Sequence, residues 1–345
     1  MNRHSQSTLV ARFDIVSTRR SWGLLLCLLV SAPGCLNESA TPVIGTPAGP
    51  YQIALDLNPS EPLAGQETKL TFQITHTKTQ QPVSDLQILH ERALHTFIVS
   101  RNLSTFAHTH HEDFISLTSL DLREANFNFP YTFPKAGQYF IVNEFTHKNR
   151  SWIKHFTLTV KGKSEPLPST PDFVQEKQLD SYRVSLKTSP SPPIAGYEVE
   201  LVCHLATQDG IAVTDLGLYL GTEVHMAAWR LDGKHFGHQH TYTADMAALM
   251  QGMRGHSMSP DEMARRMVQL MRRPAKQEYF GPNVPLHHIF PAPGVYKVFL
   301  EFAPNGESLA VDFLIEVAEY TDGTDTTIHS ILPSILASPN SETTS

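Results

Sequence analysis

Six histidines fall into two sets of one spacing: His95, His108 and His110, then His225, His238 and His240. Neutral imidazole nitrogens bind transition metals at about 2 Å, and three that converge around an open fourth position suit zinc or copper. A second group of candidate ligands crowds into one segment. Met246, Met250, Met253, Met258, Met263, Met267 and Met271 are seven of the nine methionines in the chain, and His256 lies among them. Met246, Met250 and Met253 are spaced i, i+4, i+7, and Met263, Met267 and Met271 i, i+4, i+8, so each set lines one face of a helix. Thioethers are soft ligands that select Cu(I). The plain alternatives are histidines that cap the edge of a core through backbone hydrogen bonds and methionines that pack as adaptable apolar surface.

These residues are positioned by an internal duplication. Tyr51 to Leu55 aligns with Tyr182 to Leu186, and Pro62-Leu63-Ala64-Gly65 with Pro193-Ile194-Ala195-Gly196, at an offset of 131. From Asp85/Asp215 the offset is 130, and it holds through His95/His225, Phe106/Phe236, His108/His238 and His110/His240. It becomes 157 where Phe133-Pro134, Gly137, Tyr139, Glu144 and Phe145 meet Phe290-Pro291, Gly294, Tyr296, Glu301 and Phe302. The second copy therefore carries an insertion of 27 residues, the methionine segment. Ser259-Pro260-Asp261-Glu262 reads as a helix start, and a helical hairpin at 244–276 is expected.

Each copy reads as short strands. Leu70, Phe72 and Ile74 alternate with polar residues in 67–76, and Leu201, Cys203 and Leu205 repeat the pattern, so Cys203 reads as a small core residue. Further strands are expected at 51–57, 94–100, 105–110, 113–118, 138–145 and 152–160. About seven strands in a copy favour tandem Ig-like or cupredoxin-like β-sandwiches, an all-β class. The expected order is copy one at 50–161, a linker at 162–176, copy two at 177–319 and a disordered tail at 320–345. Asp232-Gly233 suits a two-residue type I′ hairpin turn, which would place His225 directly opposite His240 with His238 on the same face. In copy one His95 would face His110 around Asn102-Leu103. Trp229 and Phe236, and Phe97, Val99 and Phe106, share those faces. His76, His90, His111, His147, His155, His204 and His235 lack counterparts and read as ordinary polar side chains.

Arg19-Arg20, the apolar run from Trp22 to Val30 and the small residues before Cys35 read as a signal sequence at 1–34. Ala32-Pro33-Gly34-Cys35 resembles the lipobox of bacterial lipoproteins, which implies acylation of Cys35, a tether at 35–49 and a membrane anchor in the bacterial cell envelope, on the periplasmic side or at the cell surface. Without that segment the chain holds 23 basic and 33 acidic residues, net −10 with histidine neutral, which argues against nucleic acid as the partner. Only Cys203 then remains as a free thiol, so no intrachain disulfide is available.

The runs Leu94 to Val99, Leu103 to His110 and Phe133 to Tyr139 resemble secreted bacterial domains called YtkA-like or FixH-like. His111 and Asn102 depart from their pattern, which has Pro and Asp there. The resemblance implies small Ig-like sandwiches associated with copper or heavy metals. The reading that follows is an envelope lipoprotein that binds a transition metal, copper preferred and zinc the alternative, for buffering or for delivery to a transport or envelope partner. A non-catalytic adhesion module and a type-2 copper enzyme are the other readings. No nucleophile with a base, paired carboxylates or phosphate loop supports an enzyme.

Overall fold

The computed structural model describes residues 49–163, 172–253, 260–272 and 276–320. The signal sequence, Cys35, most of the tether and linker, the tail beyond Tyr320, His256 and Met258 lie outside them. Copy one comprises β1 (Tyr51–Asn58), β2 (Glu67–His76), β3 (Leu94–Ser100), β4 (Phe106–Thr109), a short helix α1 (Ser119–Glu124), β5 (Asn126–Thr132), β6 (Gly137–His147) and β7 (Arg150–Val160). Two antiparallel sheets result, in the orders β1-β2-β5 and β4-β3-β6-β7. Copy two comprises β8 (Glu176–Leu179), β9 (Tyr182–Ser189), β10 (Glu198–Thr207), β11 (His225–Arg230), β12 (Phe236–His240), α2 (Ala244–Met253), α3 (Pro260–Met271), β13 (Asn283–Ile289), β14 (Gly294–Phe302) and β15 (Leu309–Val317). Its sheets run β13-β10-β9-β8 and β12-β11-β14-β15. Strand for strand this is the order of copy one, with β8 added at an edge and the two helices inserted between β12 and β13.

Period-2 alternation builds each core. Leu70, Phe72 and Ile74 of β2 meet Phe127 and Phe129 of β5 and Ile141 and Phe156 of the opposite sheet, all buried. In copy two Leu201, Cys203 and Leu205 do the same work against Val298 and Phe313. Cys203 is fully buried, and that burial pushes its thiol up to about 12, so it packs as a small apolar side chain.

The inner sheet of each sandwich has a second apolar face. In β3, Leu94 and Ile98 point into the sandwich core, while His95, Phe97 and Val99 alternate with them, yet all seven residues are buried. The alternate face belongs to a third cluster of Phe97, Val99, Leu103 and Val142 with Ala227, Trp229 and Phe299, which joins the two copies. The rings of Phe106 and Phe299 stack across it at 4.3 Å. Sheets covered on both faces carry near-continuous apolar strands, which is why the face shared by the histidines and Trp229 is the contact between copies.

Three local expectations are corrected. Residues 113–118 form no strand: Asp113 closes a turn that begins at His111, and Thr118 caps α1 in a reciprocal pair with Asp121. The missing strand is β5, whose alternation is broken by Pro130. Proline lacks the N–H that a central strand needs, and β5 lies at the edge of its sheet, where Pro130 pairs with Lys69. The turn at Asp232-Gly233 is a four-residue loop rather than a type I′ pair. Gly233 alone has positive φ (+76°), its N–H donates to the Arg230 carbonyl (2.8 Å), and the Arg230 N–H donates to His235 (3.0 Å). Four is even like two, so the register survives. Gly233 is also required by proximity, because a Cβ there would lie 2.3 Å from the Phe140 ring of copy one.

Candidate metal centre

The hairpins set the histidines in register. In copy two, His225 pairs with His240 and Ala227 with His238. In copy one, Thr96 pairs with Thr109 and Phe97 with His108, which brings His95 and His110 together at the strand end. Both triads therefore project from the outer face of an inner sheet, beside the aromatic contact between copies.

In copy one the inward nitrogens nearly touch. His95 Nδ1 lies 3.2 Å from His108 Nε2 and 3.2 Å from His110 Nε2, and the two Nε2 atoms are 3.0 Å apart. Three atoms so spaced lie about 1.8 Å from their common centre, so an ion bonded at about 2 Å to each would sit just out of their plane. The outer nitrogens are committed elsewhere. His95 Nε2–H donates to the Leu89 carbonyl (3.1 Å), and His110 Nδ1–H donates to Asp113 Oδ2 (2.9 Å). His108 Nδ1 shares a proton with Glu301 Oε2 of copy two at 2.7 Å. His95 and His110 thus turn bare lone pairs toward each other in a site where all three rings are buried. Lone pairs repel, and a cation between them removes the repulsion. Outer acceptors of this kind fix the tautomer and orientation of metal-binding histidines.

Copy two repeats the pattern more loosely. His225 Nε2–H donates to the Tyr219 carbonyl (2.9 Å), and His238 Nδ1 bonds Glu144 Oε2 of copy one (2.7 Å). The inward atoms, His225 Nδ1, His238 Nε2 and His240 Nε2, are buried and have no hydrogen-bond partner among the described residues. One ring nitrogen of each residue lies within 4.8 Å of the others. In copy one the inward nitrogens lie within hydrogen-bonding distance of one another; in copy two they make no such contact. Thr243 stands where copy one has Asp113, so His240 lacks the matching carboxylate.

The surroundings disfavour extra protons. Burial first, then the neighbouring imidazoles, holds His95, His108, His225 and His240 well below the usual histidine range. Glu301 is the exception, since burial raises its carboxyl well above the ordinary value and so favours a proton there. Burial also raises Asp113, but bonds from His110 and Arg92 outweigh it and hold that carboxyl low. Neutral imidazole is the form that binds metal.

Sequence reasoning found the triads and missed their partners. His90, set aside for want of a counterpart, stacks on His240 with ring centres 3.6 Å apart, and its buried Nε2 has no partner among the described residues. Glu144 and Glu301 stood out only as matched repeat positions. Of the other unmatched histidines, His147 bonds Asp85 (2.7 Å) and Tyr51, and His204 bonds Asn283 (2.7 Å). Of the methionine segment, α2 and α3 form the expected helical pair, and α3 packs on β7 of copy one. Met246 is buried and Met267 and Met271 are half-buried, whereas the side chains of Met250, Met253 and Met263 are outside the described set.

Among solved structures, the chain is similar to the Escherichia coli adhesin FdeC (13% identity, 79% of this chain and 65% of that one, TM-score 0.21). It is also similar to latent PorU from Porphyromonas gingivalis (10%, 83% and 21%, TM-score 0.22) and to the Yersinia pseudotuberculosis adhesin InvE (8%, 80% and 61%, TM-score 0.20). The chain spans less than two thirds of each, and TM-scores so low say nothing of its role. No curated protein matches it. One family model matches twice, at residues 47–162 and 177–319, once for each sandwich. The chain belongs to the family described as "Domain of unknown function (DUF8832)", of which it carries two domains in tandem.

Proposed function

We propose that this protein is a metal-binding component of the bacterial cell envelope, anchored through Cys35, that takes up copper through His95, His108 and His110 and through His225, His238 and His240. The observation that carries the reading is the set of inward ring nitrogens 3.0–3.2 Å apart whose outer nitrogens already face acceptors. Histidines that merely cap a core edge would spend their nitrogens on backbone. Here one nitrogen of each does so or meets a carboxylate, and the other is reserved. Nitrogen sites favour copper over zinc by the usual affinity order, and the resemblance to YtkA-like and FixH-like domains points the same way. Because the inward atoms are shielded from solvent, holding or passing on an ion fits better than turnover of a bulky substrate.

The test is the metal content of full-length mature protein purified without a histidine tag, with and without added copper or zinc. Up to two equivalents of tightly held metal are expected, with loss from copy one in a His95→Asn, His110→Asn variant. Protein that stays metal-free in micromolar copper and zinc while correctly folded would overturn the proposal.

A further inference from the structure

The two triads are not separate sites on separate domains. His108 of copy one lies 5.5 Å from His225 and 5.6 Å from His238 of copy two, measured between ring centres, and His95 lies 5.5 Å from His238. With about 3 Å from a ring centre to an ion bound at its nitrogen, two bound ions would be within about 12 Å of each other. The orienting carboxylates cross over. Glu301, on β14 of copy two, fixes His108 of copy one, and Glu144, on β6 of copy one, fixes His238 of copy two, each at 2.7 Å. The two glutamates occupy the same place in the repeat, and in each copy the glutamate lies opposite the first triad histidine, His95 with Glu144 and His225 with Glu301. Each sandwich thus places its own glutamate to serve the other's triad. Glu301 is buried, so its carboxyl has no role toward solvent.

We propose that the triads form one paired centre that holds two transition-metal ions at once across the contact between the sandwiches, each triad completed by a carboxylate from the opposite sandwich. This rests on the metal-binding reading above. In the pair, Glu301 and Glu144 are positioning residues: they touch no ion, but they hold the Nδ1–H tautomer that leaves Nε2 of His108 and His238 free to bind. The shared contact means that a bound ion also ties one sandwich to the other. His90 adds a difference between the halves, since copy two has Leu220 at the corresponding place and lends copy one no imidazole.

The experiment uses the full mature chain. Native mass spectrometry during copper titration should end at two ions per chain, and the two-Cu(II) form should show a dipolar contribution in its electron paramagnetic resonance spectrum. That contribution should vanish when His225→Asn and His240→Asn empty the second triad. In that single-triad background, Glu301→Gln should weaken copper binding by 10- to 100-fold, the range for an outer-shell partner, while Glu144→Gln, which faces the emptied triad, should change it by less than about threefold. The reverse pattern is expected when His95→Asn and His110→Asn empty the first triad. Two ions without dipolar contact, or glutamine substitutions that act on their own copy's triad, would overturn the paired centre and leave metal binding standing. A chain that binds no ion would fail the earlier reading instead. If a histidine variant does not fold, the stoichiometry and the dipolar signal of the unaltered protein still decide.

Discussion

Replacing Trp229 by alanine should uncouple the two sandwiches without dissolving either. Trp229 is wholly buried, and its ring meets Phe236 at 4.5 Å, Phe299 at 6.0 Å, Phe97 at 6.1 Å and Phe106 at 6.2 Å, so residues of both copies surround it. It belongs to the contact between copies and to neither sandwich core. Truncating a large buried aromatic costs about 3–5 kcal/mol in lost burial and cavity. For a folded body of roughly 250 residues that corresponds to a drop of about 6–20 °C in Tm. Calorimetry and urea denaturation followed by far-ultraviolet circular dichroism would measure it, with Ile211→Ala as the control. Ile211 is 63% exposed, and its truncation should cost no more than about 0.5 kcal/mol. A Trp229→Ala loss below about 1 kcal/mol would mean that this face is not covered in the folded protein, and the geometry of both triads would fall with it.

Two further outcomes follow from particular side chains. Burial lowers His288 from its ordinary value to about 4; above about 6.5 it is neutral folded or unfolded, and below that the unfolded chain gains the proton first. Its contribution is therefore present at neutral pH and lost as pH falls from about 6.5 to 4, by on the order of 3 kcal/mol in all. Denaturation midpoints of His288→Asn should accordingly fall less steeply with acidification, and an unchanged slope would refute the assignment. Changing the seven methionines of 244–276 to leucine should lower Cu(I) capacity in a competition titration while the circular dichroism spectrum is unchanged; unaltered capacity would leave those side chains as packing.

The register of the histidines was legible because it depends only on parity. Alternation along β11 and β12, with any even loop between them, sets His225 opposite His240, so the wrong turn type did no harm. Glu144 and Glu301 were visible as repeated positions, but their role requires knowing that the outer faces of the inner sheets meet, and a single chain pattern does not say what covers a second apolar face. The run of β3 held the hint: Leu94 to Val99 is apolar or histidine on both parities except for Thr96. His90 was lost for the opposite reason, since Leu220 stands at its place in copy two and leaves it no counterpart to match. Pro130 hid β5 because proline reads as a break unless the strand is known to be an edge, and Phe114, Ile115 and Leu117 made 113–118 read as a strand while Asp113 and Thr118 are spent on a turn and a cap.

The crossing of Glu301 to His108 and of Glu144 to His238 has the form of an isologous contact, in which residue i meets j and j meets i. That is the arrangement of a two-fold homodimer, here enclosed within one polypeptide. In a true homodimer every substitution appears twice, and both halves must tolerate it. Joined in one chain, the halves are released from that constraint. Symmetry has accordingly been broken at Asp113 against Thr243, at His90 against Leu220, and by a helical hairpin that only one half bears. One chain can thus hold two unequal seats, one with a carboxylate on its third histidine and one with an extra imidazole beside it, a distinction that no assembly of identical subunits related by strict symmetry could encode.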